Sequence, residues 1–163
     1  MSNAKTYRVI QWATGNIGGR SLRRVIEAPD LELVGLWVSS PEKAGKDAGE
    51  LCGMPATGIT ATSSAADLIA LDADVVLYMR QGVDWDEVCA LLASGKNIVS
   101  TRGEFHNPAM IAPENRARVE EACRQGQTSI YSTGSSPGFI TEALAIPLLS
   151  LSRRLDLLTI DEF

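Results

Sequence analysis

The residues best able to do chemistry in this sequence begin with a turn near its start, Ala13-Thr14-Gly15-Asn16-Ile17-Gly18. It stands between an apolar run and an amphipathic one, where the glycine spacing of a dinucleotide-binding turn belongs. In that reading Gly15 lets the backbone approach a pyrophosphate, and Gly18 lets the following helix pack on the strand. The N–H groups of Asn16 and Ile17 present a helix N-terminus, which favours an anion. Ala13 stands at the first glycine position, so the sequence predicts a first turn that an L-residue tolerates. A plain glycine-rich strand–helix turn of a flavodoxin-like domain is the competing account.

The residues after the second apolar run bear on which dinucleotide is bound. NAD-binding chains usually place an acid there for the ribose 2′-hydroxyl. Here the run ends Trp37-Val38-Ser39-Ser40-Pro41-Glu42-Lys43. Ser39, Ser40 and Lys43 would bind a 2′-phosphate that an acid would repel. NADP is therefore expected to be preferred, with NAD possible because Glu42 is close. Lys43 and Lys46 could equally be solvated loop lysines.

Ligands of open parallel sheets sit beyond the carboxyl ends of the strands. Three segments reach that edge: Tyr78-Met79-Arg80-Gln81-Gly82, Ser100-Thr101-Arg102-Gly103-Glu104-Phe105-His106, and Ser132-Thr133-Gly134-Ser135-Ser136-Pro137-Gly138-Phe139. All three should converge on the cofactor. Met79, Thr101 and Pro137 are assigned to it, one from each. Glu104 is the acid best placed to take a proton or hold an ammonium group, although from position alone a solvated glutamate is the commoner state. Arg80 and Arg102 could hold a carboxylate or a phosphate. His106 is the single histidine and could donate a proton, but a lone loop histidine is more often without a role.

The elements that must carry these residues alternate between strand and helix patterns. This is the signature of an α/β, Rossmann-type, doubly wound and mainly parallel sheet with helices on both faces. Strands are predicted at residues 7–12, 31–38, 59–62, 74–78, 97–100 and 129–132. Helices are predicted at 18–28, near 47–51, from a serine cap at 63 or 64 to 70, after Asp84 to a stop at Gly95, from Pro113 to a stop at Gly126, and at 139–149 with a kink or end at Pro147. Trp12, Trp37 and Trp85 read as packing residues. Residues 1–6 read as a tag and disordered start, 7–150 as the dinucleotide-binding domain, and 151–163 as the opening of a C-terminal substrate and dimerisation domain. Residues 155–163 have the pattern of that domain's first strand.

Composition bounds the rest. The chain has 163 residues, 45% of them hydrophobic and 21% charged, with a net charge of −5. It can bury a core but has no basic field for nucleic acid or an anionic membrane. No apolar run could span a bilayer. Cys52, Cys89 and Cys123 are scattered, which argues against a zinc site or disulfide framework and suits a reducing cytoplasm.

The runs Val9-Ile10-Gln11-Trp12-Ala13-Thr14-Gly15-Asn16-Ile17-Gly18 and Trp37-Val38-Ser39-Ser40-Pro41-Glu42-Lys43 resemble a family of dihydrodipicolinate reductase-like proteins. That family includes 2,4-diaminopentanoate dehydrogenase and native amine dehydrogenases. Gly134-Ser135-Ser136-Pro137-Gly138-Phe139 looks like its G-x-x-P-G-F loop. The resemblance covers the N-terminal half of a family member. It implies hydride transfer at a C–N bond, with an amine or a ketone or imine as substrate, and a homodimer for the full-length protein. It also implies that Glu104 engages the substrate nitrogen, that the missing half carries most of the substrate pocket, and that this chain alone does no chemistry. The alternative from another class is a non-catalytic nucleotide-binding or redox-sensing module.

Overall fold

A computed structural model of the chain describes residues 5–161. Residues 1–4 of the expected tag and residues 162–163 of the expected last strand lie outside the described residues.

Five short apolar runs form one parallel sheet: β1 (Tyr7–Trp12), β2 (Leu31–Trp37), β3 (Val75–Tyr78), β4 (Asn97–Ser100) and β5 (Ile130–Ser132). Their spatial order is β2-β1-β3-β4-β5. The order reverses direction at β1, so its carboxyl end opens a crevice between the loops that follow β1, β2 and β3. Helix α1 (Asn16–Glu27) returns the chain from β1 to β2, and α2 (Ala48–Cys52) and α3 (Ala65–Ala70) follow β2. Helices α4 (Trp85–Ala93) and α5 (Pro113–Gly126) precede β4 and β5.

The ends of β1 and β2 are covered on both faces, as their continuous apolar runs suggest, whereas β3, β4 and β5 bury alternate residues and leave one face partly open. On one face Leu22 of α1 and Ala48 of α2 pack on Leu36, with Val38 and Ala61 beside it. On the other, Leu68, Val88, Leu91, Leu92, Val119 and Ala122 of α3, α4 and α5 close over Ile10, Trp12, Val76, Tyr78 and Ile98. Leu22 and Val25 are the wholly covered residues of α1's apolar stripe, and each contributes about 1.5–3 kcal/mol by burial.

The caps follow the sequence. Ser64 accepts from Asp67 N–H at the start of α3, and Asp84 accepts from the N–H groups of Asp86 and Glu87 at the start of α4. Among the described residues no helix is long and apolar enough to cross a membrane, and no group of His, Cys, Asp and Glu could hold a metal ion.

Four expectations differ from the fold. Residues 59–62 are not a strand: Thr62 makes a single bridge to Trp37 and Thr60 one to Asp47. Helix α5 ends at Gly126 as expected, but Gly126 is not its left-handed residue. The left-handed residue is Gln127, at φ 54°, whereas Gly126 is helical and is a glycine because a side chain there would stand 1.9 Å from Leu92 O.

The expected helix at 139–149 is unbroken but changes type within its length, from the wide-turned segment Ser135–Leu144 to α6 (Ala145–Leu149). Non-helical backbone at Ser136, Pro137 and Gly138 interrupts the first. Pro147 is the third residue of α6, which ends two residues later at Leu149. Finally, residues 155–161 form no strand. Leu155, Leu157, Leu158 and Ile160 are exposed, and no described strand pairs with them.

Candidate functional site

The crevice at the carboxyl end of β1 is a cleft of about 410 Å³. It brings together Thr14, Gly15, Asn16, Ile17, Ser39, Ser40, Lys43, Met79 and Thr101, each expected at the cofactor, together with Ala13, Arg80, Gln81 and Arg102.

The turn is shaped by what lies beneath it. Gly18 does not line the cleft; a side chain on it would come within 2.2 Å of Ala13 O, so α1 can approach β1 only through a glycine. A side chain on Gly15 would meet nothing within 4 Å, which leaves the space over that peptide open to a ligand. No side chain caps α1 and no acid stands in its first turn. The first N–H groups of Asn16 and Ile17 are thus left to an anion in the cleft.

Ala13 corrects one expectation. Its φ is 75°, the left-handed conformation for which the first glycine of such turns is normally used. The alanine adopts the turn rather than changing it. Gln11, fully buried in β1, donates from Nε2 to Ala13 O at 3.0 Å and fixes the strained peptide. Gln11 Oε1 has no partner among the described residues. Gln11 is a residue of this turn that sequence reasoning does not single out, although an uncharged polar residue between Ile10 and Trp12 is a signal for it.

Lys43 ties the two sides of the cleft together. Its Nζ donates to Thr14 O at 3.0 Å and Thr14 Oγ1 at 3.1 Å, placing an ammonium group beside Ser39 and Ser40. Arg80 lines the opposite wall. Its guanidinium lies 5.2 Å from the Trp37 ring centroid and is held by Glu87 at 2.5 Å, so its charge is already partnered. Trp37 stacks in turn on Trp12, with centroids 5.1 Å apart.

Pro137 stands outside the cleft lining. A side chain on Gly134 would lie 3.4 Å from Pro137 O and 4.0 Å from Thr101 Cγ2, so this loop borders the Thr101 edge. Glu104 also stands outside. It reaches the cleft through Arg102, whose Nη2 and Nε donate to its two carboxylate oxygens at 2.6 and 3.2 Å. The Arg102 guanidinium holds the Glu104 carboxyl below its usual range, against the opposing effect of burial. His106 turns away toward Glu142, with Nε2 3.7 Å from Oε1.

Sheet order, glycine turn and cleft define a Rossmann-type domain, the nucleotide-binding unit of NAD(P)-dependent oxidoreductases. No family model matches the chain. An amine dehydrogenase of Streptomyces virginiae is 31% identical over 160 residues, 94% of this chain and 44% of that protein. A 4-hydroxy-tetrahydrodipicolinate reductase of Methanopyrus kandleri is 44% identical over 71 residues, 42% of this chain and 26% of that protein. The solved amine dehydrogenase of Mycobacterium smegmatis superposes with a TM-score of 0.80 at 20% identity, over 92% of this chain and 45% of its own, which is a likeness of fold. The chain spans less than half the length of these relatives. The stretches it matches are N-terminal regions of amine dehydrogenase and dihydrodipicolinate reductase.

Proposed function

We propose that the cleft binds a nicotinamide dinucleotide, NADP in preference to NAD, for an oxidoreductase acting at C–N bonds, and that Glu104 is its reacting acid. The observation that carries the reading is a single one. The uncapped end of α1, the open space over Gly15, and the Ser39, Ser40 and Lys43 group share one cleft. The residues fit the group they would hold: first-turn N–H groups for the pyrophosphate, and hydroxyls with an ammonium for a 2′-phosphate.

When bound, the cofactor supplies the hydride acceptor or donor. The chain's own part is to hold it and to present Glu104. In deamination of an amine, Glu104 would take the proton lost by the substrate nitrogen while the carbon's hydride passes to the bound cofactor, and water would then convert the imine to a ketone with release of ammonia. The similarity to an amine dehydrogenase over 94% of this chain supports that class of substrate. The whole protein is expected to act as a homodimer on a small amine, ketone or imine.

Titration of the chain with NADPH and NADH tests the cofactor. NADPH should bind more tightly, and Ser39→Asp should reverse the order by repelling the 2′-phosphate. Tighter binding of NADH by the unaltered chain refutes the preference.

A further inference from the structure

We propose that Arg102 is the positioning residue of Glu104, holding the carboxylate with its guanidinium fork while its own side chain lines the dinucleotide cleft. The proposal rests on the reading of Glu104 as the reacting acid.

The backbone of Arg102 is gripped on both sides by the ends of neighbouring strands. Its N–H donates to Ser100 Oγ at 3.1 Å, and its carbonyl accepts from Ser132 Oγ at 2.9 Å. Ser100 Oγ donates onward to Tyr78 O at 2.7 Å. Both serines are buried. The carboxyl ends of β3, β4 and β5 thus fix the root of this side chain, and a hydroxyl at Ser100 and at Ser132 is what the arrangement needs.

From that root the guanidinium meets Glu104 with two N–H donors on two oxygens, the planar match that lysine cannot make. Left alone, a carboxylate whose side chain is 40% exposed would sample many rotamers; the fork selects one. Because Arg102 also lines the cleft, the reacting acid is registered to the cofactor site through one side chain.

Among the described residues Glu104 pairs with no charged side chain but Arg102. His106 on the same turn faces Glu142, while β5 and residues 108–110, packed against the turn, carry no charged side chain. A cation beside the carboxyl keeps it ionised at neutral pH, the state that receives an ammonium group or a proton. A partly exposed ion pair adds little to stability, so Arg102 variants should fold.

The test uses Arg102→Gln, Arg102→Lys and Glu104→Gln. In this chain, carboxyl NMR should show Glu104 titrating at higher pH in Arg102→Gln than in the parent. In the whole protein, Arg102→Gln should lower kcat for the amine about ten- to a hundredfold and move the acid limb of its pH profile upward. Arg102→Lys should restore the limb but only part of the rate, since it returns the charge without the fork. An unchanged Glu104 titration in Arg102→Gln overturns the pairing. A defect confined to NADPH affinity, with the acid limb in place, overturns the positioning role. Full activity of Glu104→Gln overturns instead the reading of Glu104 on which the proposal stands, so the two failures are distinguishable.

Discussion

The phosphate turn after β1 and the carboxylate turn after β4 meet at the same edge of the sheet but are built from different materials. The first is made of backbone and buried contacts: Gln11 on Ala13 O, and α1 seated on β1 through Gly18. The second is made of side chains. Its backbone is held by Ser100 and Ser132, but the group of interest, Glu104, is partly exposed and fixed only by Arg102. A binding end should be insensitive to what enters it, because pyrophosphate is the same in every turnover. A reacting end must let its acid engage and release a substrate. The contrast makes opposite forecasts for the two turns, and substitutions can separate them.

The largest effect is expected at the carboxylate. Glu104→Gln keeps the size and removes the base, so turnover of an amine by the whole protein should fall by roughly two to four powers of ten. Folding stability and NADPH affinity should hardly change, because Glu104 neither lines the cleft nor packs in the core. Loss of cofactor binding in this variant would erase the distinction between the two turns.

Next comes Gly18→Ala. The added methyl would stand 2.2 Å from Ala13 O, a clash with main chain that only a shift of α1 can relieve. A denaturant melt should show a loss of about 1–3 kcal/mol, the usual cost of overpacking. Unchanged stability would mean that the turn is as adjustable as the carboxylate loop.

The same contrast accounts for what could be read in the sequence. The five strands of the sheet, the caps at Ser64 and Asp84, and the Gly15–Gly18 spacing are local consequences of backbone chemistry, so residue type and position announce them. The Arg102–Glu104 fork is a choice of rotamers two residues apart, and no spacing announces that. Gly126 shows the limit from the other side. As a residue type it signals a helix stop, but the contact with Leu92 O that makes it a glycine comes from α4, a tertiary fact. Residues 139–149 are helical as their pattern predicts, but the pattern does not show that 139–144 are wide-turned or that Ser136, Pro137 and Gly138 take non-helical backbone just ahead of them.

Gly15 offers a sharper cut than Gly18, since it separates binding from folding inside a single turn. Its φ of −68° and ψ of −168° suit any residue, and a side chain there meets nothing within 4 Å. Gly15→Val should therefore melt within about 1 kcal/mol of the parent. It should still bind NADPH at least tenfold more weakly, a loss of about 1.4 kcal/mol, because the branched side chain fills the space proposed for pyrophosphate. Full affinity would move the dinucleotide elsewhere in the cleft.

The smallest effect should be a gain. Ala13 holds φ at 75°, and a left-handed alanine costs roughly 1–2 kcal/mol that glycine does not pay. Ala13→Gly removes that strain but gives the unfolded chain more freedom, which offsets roughly 0.5–1 kcal/mol. The balance favours glycine by up to about 1 kcal/mol, provided that the methyl contributes little packing. Ala13 is only partly buried at the margin of the core beside Trp12, so some packing is lost and the gain should lie below that limit. The hydrogen bond from Gln11 Nε2 to Ala13 O survives the substitution, because it uses the carbonyl. A higher melting midpoint, with NADPH affinity unchanged, would show that backbone strain in this turn is carried without serving the ligand. A lower affinity in the glycine variant would show the reverse: the alanine's restriction keeps the empty turn ready for phosphate, so that removing strain also removes preorganisation.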